Sequence, residues 1–310
     1  MKWKKLGLVF DLTTHKPGWL KSHAMTPTPL ELEDKIRVYY TGRDQNGQSR
    51  ISFVDLDKKD PSKVIYVHDA PVMDIGKIGM FDDCGTICTC AVEDNGRILL
   101  YYTAYSVSYK VPYKNAIGVG ISTDGGLSFT RAFDGPIVDR SKEEPYFVIS
   151  PWVLKHHDEW HMWYASATDW ILVNDKPESI YHIKYASSKD GLEWKHNNAS
   201  CIHPIKPTEA NARPAVILDG EQLKMWFTFR GSFDFRDGED SYRIGYAEAG
   251  IQSPTTWQRI ETSPASSLEV DPYDETMQAY PSIIRINGKL LMFYNGNGFG
   301  VNGFCVAIES

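Results

Sequence analysis

The sequence predicts an all-β chain folded as a five-bladed β-propeller of four-stranded antiparallel blades, and three observations carry the prediction. One hairpin pattern recurs five times, its copies are almost evenly spaced, and the two ends of the chain complement each other. Repetition at a fixed period, with a few short strands per copy, marks a ring or solenoid of repeated sheets.

The copies are TPTPLELEDKIRVYYTGR, TICTCAVEDNGRILLYYTAY, ISPWVLKHHDEWHMWYASA, ARPAVILDGEQLKMWFTFRG and AYPSIIRINGKLLMFYNGN. Each is an apolar strand, a polar turn and a second strand that ends on aromatic residues, the composition of paired half-buried strands. With Pro27, Cys88, Pro151, Pro214 and Pro281 as equivalent points, the intervals are 61, 63, 63 and 67 residues. A third strand follows in every copy (SRISFVDLD, NAIGVGISTD, YHIKYASSKD, YRIGYAEAG, GFCVAIES), and three copies add a short fourth segment at Phe129, Trp194 or Trp257.

The fifth copy stops after its third strand at Ser310, and WKKLGLVF near the start reads as the missing fourth. The 29 residues after Pro281 and the 27 ending at Pro27 together give 56, close to one period. The last blade is therefore expected to be closed by the first strand, which removes exposed sheet edges. Residues 1–310 read as one propeller domain.

Hydrophobic residues make up 42% and charged residues 24% of the chain, a soluble globular balance, and aromatics reach 13%. The net charge of -7 is spread without long runs, which disfavours nucleic acid and anionic membrane surfaces as partners. A small-molecule or oligosaccharide ligand fits better, and oligomeric state is not legible. The start, MKWKKLGLVFDLTTHKPGW, lacks the apolar run of a signal peptide, so a cytoplasmic location is expected. Cys84, Cys88 and Cys90 do not have zinc-site spacing, and the five cysteines read as free thiols. No metal or cofactor is expected.

In each blade the innermost strand starts, and the second strand ends, on one rim. That places a ligand mouth among Thr26, Ile87, Ser150, Arg213 and Tyr280, one position before each reference residue. Carboxylates lie five to eight positions upstream: Asp82 and Asp83, Glu143 and Glu144, Glu209 and Glu275. Asp83, Glu144, Glu209 and Glu275 are the catalytic candidates, because glycosidic cleavage commonly uses two carboxyl groups flanking the bond. His23, Arg43, Tyr105, Asp169, Asn211, Arg213, Arg230, Gln278, Tyr280 and Asn295 are the expected binding residues. Alternatively, Asp83, Glu209 and Glu275 pair with Arg43, Arg213 and Arg230 in structural salt bridges.

Hairpins such as RVYYTGR and YPSIIRINGKLLMFYNG, with turns such as YASSKDGLEW, resemble the five-bladed propeller glycosidases, which include glycoside hydrolase families 32, 43, 68 and 130. The resemblance spans the whole chain and implies glycosyl chemistry in an axial pocket. It also exposes departures. Where family 43 enzymes usually carry a general-base Asp before the blade-one proline, this chain has Thr26. Where they usually carry an acid in an EGP triplet, it has Ile149, Ser150 and Pro151. Asp83 alone keeps a family 43 counterpart. STDGGLSF at Ser122–Phe129 resembles the Asp box of sialidases, a structural turn. Sialidases normally have six blades, and blade one here lacks their RIP segment.

The expectation is therefore a glycoside-hydrolase-like enzyme that uses paired carboxylates, with three arginines suited to an anionic substituent on the sugar. A sugar-binding propeller without catalysis, and a phosphorylase or transglycosylase of the family 130 kind, stay open as alternatives.

Overall fold

A computed structural model describes residues 1–236, 238–261 and 267–310. Strand β1 (Trp3–Asp11) is followed by β2 (Ser22–Glu31), β3 (Lys35–Arg43), β4 (Ser49–Asp57) and β5 (Val64–Val67). The second group is β6 (Gly85–Asp94), β7 (Arg97–Val107), β8 (Tyr113–Ser122) and β9 (Thr130–Arg131). The third is β10 (Val148–His156), β11 (Glu159–Val173), β12 (Lys176–Ser188) and β13 (Lys195–Asn197). The fourth is β14 (Ala210–Asp219), β15 (Gln222–Arg230), β16 (Arg243–Gly250) and β17 (Gln258–Arg259). The last comprises β18 (Ala279–Ile286), β19 (Lys289–Asn295) and β20 (Gly303–Glu309), and β1 pairs with β20 as its outer strand.

The last three groups are separate four-stranded antiparallel sheets. The first two differ from the expected pattern: the parallel pair Ser49 and Gly85 joins them into one eight-stranded sheet. The inner strands pack in cyclic succession, β2 on β6, β6 on β10, β10 on β14, β14 on β18 and β18 back on β2. Among the described residues no helix is long and apolar enough to cross a membrane.

Three consecutive positions near the end of each second strand explain the aromatic repeat. The first position reaches the next group's outer turn: Tyr39 donates to the Gly126 carbonyl at 3.0 Å, Tyr101 to Gly191 at 2.9 Å, and Trp163 Nε1 to Pro254 at 2.9 Å. Those outer turns are knotted by Asp124 and Asp190, whose carboxylates accept from Leu127 and Ser128, and from Leu192 and Glu193. The second position turns back into its own sheet, where Tyr102, Tyr164 and Tyr294 bond to Asp82, Glu144 and Asp274.

The third position is a latch. Thr41, Thr103, Thr228 and Asn295 accept backbone N–H bonds from Cys88, Ser150, Tyr280 and Thr26, each on the next inner strand, at 2.7–3.0 Å. The Asn295 latch joins the last group to the first. Ala165 holds this position in the third group and offers no acceptor.

The latched residues sit at β-bulges, where the inner strand carries one residue more than its partner. Thr26, Ser150, Arg213 and Tyr280, each directly before a proline, adopt positive φ of 50–56°. Sterics disfavour this conformation in any L-residue, and a following proline adds to the restriction. Such strain costs on the order of 1–3 kcal/mol per residue and persists only where packing over-determines it. Ile87, followed by Cys88 instead of proline, is not among the positive-φ residues.

Candidate functional site

The strained inner strands surround an axial pocket of about 420 Å³. Met25, Thr26, Ile87, Ile149, Ser150, Ala212 and Tyr280 supply its inner wall, so the expected rim is where the pocket lies. The returning second strands add Arg43, Thr103 and Tyr105. Tyr113 and Asn115 from β8, Tyr181 from β12, and Tyr242 and Phe299 from connecting loops complete the polar and aromatic walls. Among the described residues no carboxylate lines this pocket. Arg43 is exposed at its edge, and Asn115 Oδ1 is buried there without a partner among the described residues.

Arg213 does not face the mouth as expected. It is fully buried, and its guanidinium crosses the axis to the Thr89 and Pro27 carbonyls and to the Thr28 and Ser282 hydroxyls. Burial lowers its pKa to about 10, which leaves it charged at neutral pH. It ties together strands β2, β6, β14 and β18 where the inner strands converge.

A second cleft of about 610 Å³ adjoins the axial pocket and shares Tyr105, Tyr113, Tyr181, Tyr242 and Phe299 with it. Two long hairpins raise this wall: β7 and β8, of 11 and 10 residues, and β11 and β12, of 15 and 13. Lys110, Lys176, Arg230 and Arg236 line the outer cleft. Glu178 is the one carboxylate among its described lining residues and pairs with Arg236 at 2.8 Å.

The catalytic candidates are not brought together. Glu144 is buried and bonds to Tyr164, His196 at 3.1 Å and Lys184 at 3.5 Å. Glu209 is buried against Arg259 at 2.5 Å. Glu275 is exposed, and its neighbour Asp274 instead lies buried with Lys5, Tyr294 and Gln278. Asp83 accepts from the Gly79 amide, whereas Asp82 lies buried against Tyr102 and Arg131.

Asp82, Glu144, Glu209 and Asp274 thus form a repeated brace. Each sits on the loop leading into a sheet and pairs with a basic side chain on that sheet's outermost strand: Arg131 on β9, His196 on β13, Arg259 on β17 and Lys5 on β1. The expected partners Arg43, Arg213 and Arg230 are not used, because the basic partners come from the outer strands. Burial acts to raise the Glu144 pKa, but bonds from His196 and Tyr164 and the Lys184 charge outweigh it and hold the carboxyl at about 2.

Of the expected binding residues, Arg43, Tyr105 and Tyr280 line the axial pocket, and Arg230 lines the outer cleft. His23 is half-buried beside the rim, and burial, then the Arg43 charge, lowers its pKa to about 4. Asp169 is exposed and caps the Trp170 amide. Gln278 bonds weakly to Asp274, and Asn295 is occupied as a latch. Asn211 is buried with neither polar side-chain atom partnered among the described residues, but it lines neither compartment. The residues missed were Tyr113, Asn115, Tyr181, Tyr242 and Phe299. The pairing of Tyr105 with Asn115 across β7 and β8 shows that third-strand starts share the rim, a consequence of antiparallel return that the hairpin repeat implies.

Among the described residues, no group of three or more His, Cys, Asp or Glu is placed to hold a metal.

Comparison with solved structures gives the class. A glycosyl hydrolase from Bacteroides ovatus superposes with a TM-score of 0.67 over all of this chain and 90% of its own, at 16% identity. A thermostable family-43 glycoside hydrolase gives 0.66 over 94% and 90%, also at 16% identity. A structure from GH130, described as a family of mannoside phosphorylases containing glycoside hydrolases, gives 0.66 over 94% and 85%, at 15% identity. The chain has the fold of the propeller glycosidases.

No protein-family model matches. Two curated relatives match at 33% identity over 311 residues, covering 99% of this chain and 99% of theirs: Uncharacterized protein Rv1502 and Uncharacterized protein MT1551, from Mycobacterium tuberculosis strains ATCC 25618 / H37Rv and CDC 1551 / Oshkosh. The chain belongs to the family of these mycobacterial proteins.

Proposed function

We propose that the five strand groups are the blades of one five-bladed ring spanning residues 1–310, and that its axial pocket binds a saccharide. The observation that carries this reading is the pocket wall: five tyrosines and Phe299 beside Thr26, Ser150 and Asn115, with no carboxylate among the described lining residues. Aromatic faces match the apolar face of a sugar ring, and a few fixed polar groups set its orientation. Hydrolysis by paired carboxylates needs two acids within about 5–9.5 Å across the scissile bond. The four buried acids that lead into the sheets, Asp82, Glu144, Glu209 and Asp274, are engaged as braces, which supports binding over that chemistry.

Isothermal titration with glucose, mannose, galactose, their uronic acids and their 1-phosphates tests the reading. Saturable binding of at least one sugar per chain is expected, weakened about tenfold or more by Tyr280→Ala, an amount set by losing ~1.4 kcal/mol of contact. Matching aryl glycosides should release no aglycone. Multiple turnover of any glycoside in water, or binding of none of the sugars, would overturn it.

A second reading is favoured by Glu178, the one carboxylate among the described residues that line the outer cleft. Phosphorolysis needs one acid: a phosphate oxygen attacks the anomeric carbon, the glycosidic C–O bond breaks, and the leaving oxygen takes the acid's proton. Formation of glycosyl phosphate from a disaccharide and phosphate, abolished in Glu178→Gln, would establish it. Absence of that product across gluco-, manno- and galacto-disaccharides would exclude it.

A further inference from the structure

The outer cleft holds more positive charge than its neighbours neutralise. Arg230 is 3% exposed, yet no carboxylate pairs with it among the described residues. Its Nε donates to the Tyr181 and Tyr242 hydroxyls, Nη1 to the Gly231 carbonyl at 2.7 Å, and Nη2 to the Ser179 carbonyl at 2.7 Å. Among the described residues Nη2 has no acceptor besides the Ser179 carbonyl. The ring of Phe235 lies 3.9 Å from the guanidinium carbon, with Tyr181 at 5.1 Å. Neutral acceptors and ring faces soften the cost of burying a cation, but they leave its charge in place.

Around Arg230 the same cleft is lined by Lys110 and Lys176, both exposed on the long hairpins and without an ion pair among the described residues. Glu178 faces them and is already engaged by Arg236. Arg213 provides the contrast. It too lacks a carboxylate, but it is sealed inside the ring, whereas Arg230 borders a cleft open to solvent.

We propose that the outer cleft is an oxyanion site, built from Arg230, Lys110 and Lys176, that takes a phosphate or carboxylate beside a sugar seated in the axial pocket. The sugar half of this statement rests on the saccharide reading above, and the anion half stands on the charge alone. A guanidinium and two ammonium groups facing one space suit a doubly coordinated oxyanion, and the shared wall lets one ligand span both compartments.

The test is titration of the intact protein with inorganic phosphate, glucuronate, glucose 1-phosphate and glucose, at matched ionic strength, in wild type, the double variant Lys110→Ala/Lys176→Ala, and Arg230→Lys. The two lysines are exposed, so the double variant keeps the fold intact. Phosphate should raise Tm and bind saturably, and the double variant should weaken phosphate and the charged sugars about tenfold while leaving glucose unchanged. Arg230→Lys should weaken the anions selectively.

Phosphate binding as well as glucose 1-phosphate identifies a free anion. Much tighter binding of glucose 1-phosphate or glucuronate identifies an anion carried on the sugar. Either supports the site. Equal losses for charged and neutral ligands, or no effect of any anion, would overturn it. Phosphate binding that is lost in the double variant, with no sugar bound at all, would sink the saccharide reading and leave the anion site standing.

Discussion

Asn115 presents a buried carbonyl oxygen to the axial pocket with no partner among the described residues. An unmade hydrogen bond of this kind costs about 1–3 kcal/mol, which a ligand hydroxyl can recover. Asn115→Ala is therefore expected to be at least as stable as wild type and to lower saccharide affinity about tenfold, read by denaturant melts and calorimetry. Arg213→Met should behave oppositely. It strands the Thr89 and Pro27 carbonyls on the axis and should cost roughly 3 kcal/mol or more in urea unfolding, with equal effects on neutral and anionic ligands. A selective loss for anionic ligands would return Arg213 to the binding site. At this scale the sequence misleads by one residue: it points to Asp83 and Glu275, while Asp82 and Asp274 are the buried acids. The loops leading into the sheets have no strand period, so nothing in their spacing tells which carboxylate turns inward.

The recurring unit explains why acids flank every inner strand from the second to the fifth. Each carboxylate fastens its lead-in loop to the outermost strand, and the first strand group, with no acid in its lead-in at Leu20–His23, has no such brace. Glu144 gives the brace a pH signature. Its pKa is lowered from 4.5 to about 2 in the folded protein, so its contribution is complete above pH 4.5 and is lost as pH falls toward 2. The shift corresponds to ~3 kcal/mol. Glu144→Gln should be destabilised by about that amount at pH 7 and should lose less stability than wild type between pH 4.5 and 2, measured by urea melts across that range. Parallel curves for both proteins would mean the carboxylate is not the acid-sensitive group. The aromatic doublets were legible from the sequence as a repeat, but their division of labour was not. Tyr39 and Tyr40 look identical in a pattern, and only the alternation of side chains across the pleat sends one to the next sheet and the other into its own.

The molecule as a whole was the most legible level, because near-constant spacing from Pro27 to Pro281 counts whole sheets and tolerates local irregularity. The spacing did not reveal that Ser49 and Gly85 fuse the first two sheets, or that the outer strands β9, β13 and β17 shrink to two or three residues. Closure by β1 has a direct consequence. Removing residues 1–11 takes away buried Val9 and Phe10, worth ~1.5–3 kcal/mol each, together with the Lys5 brace, and bares the edge of β20. The truncated chain should lose its cooperative melting transition, since those losses rival a total stability of about 5–15 kcal/mol. A shortened protein that melts within about 5 °C of wild type would show that closure is dispensable.

The central claim is that the ring holds a saccharide against tyrosines and keeps its acids for structure. The most direct measurement is a crystal structure with the tightest-binding sugar of the titration panel. The account predicts a sugar ring packed on Tyr280 and Tyr242, with a hydroxyl donated to Asn115 Oδ1 and Glu144 and Glu209 still paired with His196 and Arg259. Two carboxylates flanking the anomeric carbon, or a sugar bound away from the axis, would contradict it.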